Sequence, residues 1–187
     1  NVVCPLKRMA NGSFYEDFLA GRLVRFLKDY GFAGFHAADG YGHPRFALCD
    51  GDFSDDILEQ FSSACPDVKV PGGQRKARAE WILSNARAEW SRFYAVRQAA
   101  FIGKIAKALH AEGLTLRANT CWTCDPHTAL FRYGVDYREM VKAGVDAFFT
   151  EVSATVLELE NWRFSDISVL DRRRATILRL APSVSVP

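Results

Sequence analysis

The chain has 187 residues, about half of them apolar, with 24 Lys and Arg against 22 Asp and Glu. That is enough apolar material for one packed domain, and so even a charge balance excludes a nucleic-acid clamp or any other strongly electrostatic role. No stretch reaches the ~20 apolar residues that span a bilayer, no signal-peptide pattern opens the chain, and the compartment stays open.

Val2-Val3-Cys4-Pro5 reads as the end of a strand. Ser13-Phe14-Tyr15-Glu16 has the form of a capping box, in which Ser and Glu satisfy each other's free amides at a helix start. Leu19, Leu23, Phe26, Leu27 and Tyr30 follow at three- and four-residue steps, one apolar helix face stopped by Gly31. Phe32 to Ala38 is short and apolar, as in a strand buried on both sides, and it ends at Asp39-Gly40-Tyr41-Gly42-His43-Pro44.

Residues 39–75 form a long Gly-, Asp- and Pro-rich excursion on the side expected to hold the site, interrupted by a short helix from Ser54 to Ser63. Arg75 to Glu112 reads as helix in two pieces, with Trp90, Phe93, Arg97, Phe101, Ile105 and Leu109 as a stripe and Arg97 at its edge. Trp81, Trp90 and Phe101 belong to the core by this spacing, and His110 suits the negative end of its helix. Leu114 to Asn119 is the next strand. A helix from Pro126 to Ala143 breaks near Gly134, and Val145 to Glu151 is a third strand. A loop holding Trp162 leads to a helix from Ser168 or Asp171 to Leu180, with Arg172-Arg173-Arg174 on its exposed face. Ser183 to Pro187 reads as another strand beginning, so both ends read as set inside a fold and a processed or partial chain is expected.

Strand alternating with Gly-stopped helix points to a parallel sheet with right-handed crossovers. The expectation is one α/β domain over residues 1–187, part of a (β/α)8 barrel with about four of its units present. In such folds the chemistry gathers at the carboxyl ends of the strands. Those ends carry Asp39, Asn119 and Glu151. Two carboxylates on one cleft are what glycoside hydrolysis requires, one ionised as nucleophile or base and one protonated for the leaving oxygen. Tyr41, Trp122 and Trp162 could stack on sugar rings, while His36, His43, Asn119 and Asp125 could bond hydroxyls. Each has a plainer reading as a helix cap, a loop brace or a core side chain.

The five cysteines are odd in number and imply no disulfide framework. Cys121 and Cys124 have the C-x-x-C spacing of redox sites. With Asp125 and His127 they offer at most a partial metal set, and loop packing is the third reading. No cofactor or metal is expected.

Gly31 to Gly42, with Asp39 after an apolar strand, resembles the nucleophile strand of the dextranase-like glycoside hydrolases of family 66. Leu116-Arg117-Ala118-Asn119 and Phe148-Phe149-Thr150-Glu151 are similar to that family's later strands. The resemblance implies a barrel glycosidase with Asp39 as nucleophile and Glu151 as general acid. The expected partner is a carbohydrate, with neither nucleic acid nor membrane. Self-association is expected if the barrel is incomplete, since unpaired sheet edges invite it. A non-catalytic sugar-binding domain and a redox protein are the alternatives.

Overall fold

A computed structural model describes residues 4–38, 47–120, 125–150, 156–159, 162–165 and 168–186, the side chains of 156–170 excepted. Its elements run α1 (Tyr15–Asp29), β1 (Gly34–Ala37), α2 (Asp55–Ala64), α3 (Arg75–Asn85), α4 (Arg87–His110), β2 (Thr115–Asn119), α5 (Pro126–Tyr133), α6 (Tyr137–Lys142), β3 (Ala147–Phe149), β4 (Val156–Leu159), β5 (Trp162–Ser165) and α7 (Ser168–Leu180). A single 3-10 turn occupies Leu48–Asp50.

Strands β1, β2 and β3 form a parallel sheet in that order, with Phe35 opposite Leu116 and Ala118 opposite Phe148. Beyond β3, Ser185 makes an isolated parallel bridge to Ala147, where the Phe148 N–H donates to the Ser185 carbonyl at 2.9 Å. Among the described residues strands β4 and β5 pair only with each other, antiparallel. The barrel expectation is therefore overturned. Among the described residues seven α-helices accompany one open three-stranded sheet, not eight alternating units closed on themselves. The β4–β5 hairpin stands where a loop around Trp162 was expected.

Helix α4 organises the core. Its 24 residues make a rod of about 36 Å, and Trp90, Phe101, Ile102, Ile105 and Leu109 on it are fully buried. The Trp90 indole stacks on Phe53 with centroids 4.8 Å apart and meets the edge of Phe61 at 4.9 Å. Tyr94 adds an edge contact at 5.0 Å, each such pair worth about 0.5–1.5 kcal/mol beyond the area it buries. Arg97 is not at the edge of this stripe but inside, paired with Glu16 at 2.8 Å. That pairing displaces the expected capping box. Helix α1 starts one residue later, the Phe14 N–H donates to the Asp17 carboxylate, and Glu16 turns inward. The basic run near the C-terminus is split in the same way, since Arg173 is buried while Arg172 and Arg174 face water.

Two glycines allow close packing. Gly34 lets β1 approach β2 so tightly that a Cβ there would sit 2.3 Å from the Thr115 carbonyl oxygen. Gly134 takes the left-handed conformation at φ 66° that ends α5, and a Cβ there would lie 2.9 Å from that of Tyr94. Asp146 joins the layers at the start of β3. Its carboxylate accepts from the Leu116 N–H at 2.7 Å and meets His110 Nε2 at 2.9 Å, so His110 has a side-chain partner as well as the helix end.

Candidate functional site

Strand alternation decides what the sheet presents. Phe35, Ala37, Leu116, Ala118 and Phe148 point to the helices, and all but the half-buried Phe35 are fully buried. The opposite face carries His36, Thr115, Arg117, Asn119 and Phe149. His36, Thr115 and Arg117 are exposed and Phe149 is half-buried, which is unusual, because parallel sheets are ordinarily covered on both sides.

These side chains touch one another. His36 Nε2 hydrogen-bonds Asn119 Oδ1 across the two strands. An amide oxygen only accepts, so Nε2 carries the proton, and in the neutral ring Nδ1 is then a free acceptor. The imidazole also lies 4.7 Å from the Phe149 ring, tilted by 44°. The Arg117 guanidinium sits 5.7 Å from the same ring, and among the described residues it has no carboxylate partner. At the end of β2, Thr120 is buried, and among the described residues its hydroxyl has no hydrogen-bond partner. The face is thus aromatic and cationic, with no carboxylate among its described side chains.

Of the residues expected from sequence, His36 and Asn119 are brought together here. Asp125 is not with them. It caps α5, accepting from the Thr128 hydroxyl at 2.6 Å and from the backbone N–H groups of Thr128 and His127. Those bonds, the Thr128 hydroxyl foremost, hold its carboxyl below the ordinary value of 3.8. Asp39, Tyr41, His43, Trp122, Glu151 and the cysteines 121 and 124 lie outside the described residues, and Trp162 is placed only by its backbone in β5.

A surface cleft of about 510 Å³ lies elsewhere, between α2, α4 and the N-terminal segment, over Phe14, Phe93 and Val96. None of the residues expected from sequence lines it, and it contains no Asp or Glu. Its guanidinium groups are all engaged: Arg8 with Asp56 and Glu59, Arg92 with Asp136 and Glu139, Arg97 with Glu16. Among the described residues no group of three His, Cys, Asp or Glu could hold a metal ion, and no helix is long and apolar enough to cross a membrane.

The glycosidase expectation is corrected by this geometry. Among the described residues no Asp–Glu pair faces a pocket, and the barrel that would bring such a pair together is not formed. Sequence reasoning overlooked Arg117 and Phe149. The strand period of two puts Arg117 on the same face as Asn119, but only the register of the three strands adds His36 and Phe149 to it.

No family model matches the chain, the dextranase-like family included, and no curated protein matches it. Among solved structures, a Bacillus subtilis protein described as a sporulation-specific glycosylase superposes with a TM-score of 0.43 at 12% identity, over 98% of this chain and 58% of that one. The chain therefore spans under two thirds of that structure's length, and a likeness at this level carries no functional argument.

Proposed function

We propose that the chain is a non-catalytic binding module whose uncovered sheet face takes an acidic, hydroxyl-rich small molecule of the sugar-acid class. The observation that carries this reading is Arg117, an exposed guanidinium without a carboxylate partner, set beside the Phe149 and His36 rings. A guanidinium binds a carboxylate through two parallel hydrogen bonds. The adjoining rings offer flat apolar surface to the C–H face of a sugar, and His36 Nδ1 accepts from a hydroxyl.

Among the described side chains of this face the groups on offer are a guanidinium, an imidazole, an amide and aromatic surface, and these support binding. Calorimetric titration with an oligogalacturonate and with a neutral maltooligosaccharide of equal length tests it. The acidic oligomer is expected to bind and the neutral one to bind at least tenfold more weakly, a charge-assisted hydrogen bond being worth about 1.5–3 kcal/mol. Replacing Arg117 by Gln should remove the preference. Equal affinities for the two sugars, or an acid preference that survives Arg117→Gln, would overturn the reading.

A further inference from the structure

We propose that the outward face of α1 and the free edge of β1 form a two-fold interface with a second copy of this chain. Phe18, Phe26, Tyr30 and Phe32 are 49%, 52%, 69% and 52% exposed. Residues 18, 22, 26 and 30 fall four apart, so on α1 and its C-terminal cap they make one row. Phe26 packs 4.8 Å from Tyr30 and stacks at 6.1 Å on Phe32, while Arg22 lies 5.3 Å over the Phe18 ring. With ~200 Å² per ring, the four leave roughly 450 Å² of aromatic surface in water. That is somewhat over half of the ~800 Å² each partner contributes to a standard interface. Aromatic rings interleaved with arginine are also the composition in which binding energy concentrates.

The same flank carries an unprotected strand. Helix α1 leads directly into β1, which pairs with β2 on one side and with no described strand on the other. Its sequence, Gly34-Phe35-His36-Ala37, has none of the lysines or prolines that blunt sheet edges.

Charge singles out a second copy as the occupant. Arg25 and Asp29 are exposed on the row beside the aromatics, and among the described residues neither has an ion-pair partner. An antiparallel α1 pair about a two-fold axis near residues 27 and 28 sets Phe26 against Tyr30 of the second copy. It places Arg25 near Asp29 of the second copy, and both contacts occur twice because the patch is self-complementary. The bare edge of β1 follows four residues after α1 and is proposed to join the same contact. An anionic lipid surface fits less well, because Asp29 lies among the cations and Lys28 is already tied to Glu112. Arg117 lies on β2, outside α1 and the β1 edge, and none of Phe18, Arg25, Phe26, Asp29, Tyr30 and Phe32 is used in the binding proposal.

Sedimentation of the full chain between about 1 and 100 μM reads the outcome, a range that spans weak to firm self-association. The expected mass is twice 21.0 kDa. R25D and D29R should each weaken the dimer at least tenfold by placing like charges across the axis, and the R25D/D29R double swap should restore it to within about threefold. Phe26→Glu should give a monomer with an unchanged circular dichroism spectrum. A wild-type monomer at the highest concentration, including one that binds phosphatidylserine vesicles, would overturn the proposal. So would a charge swap without rescue.

Discussion

Removing the Glu16 carboxylate should destabilise the fold more than any surface substitution, because it strands a buried guanidinium. The Arg97 side chain is 9% exposed and that of Glu16 is 6% exposed. Arg97 donates to Glu16 Oε2 at 3.1 Å, to Gln60 Oε1 at 3.0 Å and to the Leu6 carbonyl at 3.1 Å, and it stacks 4.3 Å over Phe14. Breaking a buried pair from one side costs about 3–5 kcal/mol, whereas replacing both partners by apolar residues of similar size is often close to neutral. Glu16→Ala and Arg97→Met should therefore each cost about 3–5 kcal/mol. The double variant Glu16→Leu with Arg97→Met is not neutral here, because Gln60 Oε1 loses its donor, an orphaned acceptor costing about 1–3 kcal/mol. The Leu6 carbonyl stays satisfied, since Gln60 Nε2 also donates to it at 3.1 Å. The double cost should fall at least about 2 kcal/mol below the sum of the singles, a coupling of the size found for direct partners. Urea unfolding of the four proteins measures this. Additivity to within about 0.5 kcal/mol would refute the buried pair as the link between α1 and α4.

Three further outcomes are expected. Gly34→Ala should cost about 1–3 kcal/mol in urea unfolding by forcing β1 off β2, because the new methyl would meet the Thr115 backbone carbonyl as well as its hydroxyl, and the carbonyl cannot rotate away. Asp125→Ala should speed amide exchange in the first turn of α5. In the wild type that cap is fully present above the ordinary carboxyl value of 3.8 and is lost as pH falls through its lower folded value, so the protection of the α5 amides relative to their intrinsic exchange rates should fall only in acid. Burial pushes the Cys4 thiol up to about 11, whereas Cys49 is exposed. Site-resolved mass spectrometry after iodoacetamide at pH 8 should find Cys49 alkylated well before Cys4, since the thiolate is the nucleophile, and the reverse order would contradict the packing around Cys4.

Local structure was legible wherever one element carried its own signal. The spacing of Trp90, Phe93, Phe101 and Leu109 announces α4, Gly113 and Gly144 mark helix ends, and Ser54 marks the start of α2. Relations between distant elements were not legible. Arg97 finds Glu16 from 81 residues away, and nothing near either residue says so. The rhythm of strand and Gly-stopped helix suggested a barrel, but closure depends on which edges pair, and a strand's sequence is the same whether its outer edge is paired or bare. The β4–β5 hairpin was hidden because its two short runs are separated without the glycine that usually marks such a turn. At the site, His36 and Asn119 were picked out as polar groups near strand ends. Arg117 and Phe149 required the register of three strands before they could be placed on the same face.

The most direct test of the account is where an acidic sugar lands. Amide and side-chain chemical shifts of the labelled chain, followed during titration with an oligogalacturonate, should move first at His36, Arg117 and Phe149 and stay still at Phe14, Phe93 and Val96 in the cleft by α4. Shifts confined to that cleft, or none at all at saturating sugar, would contradict the claim that the uncovered sheet face is the binding surface.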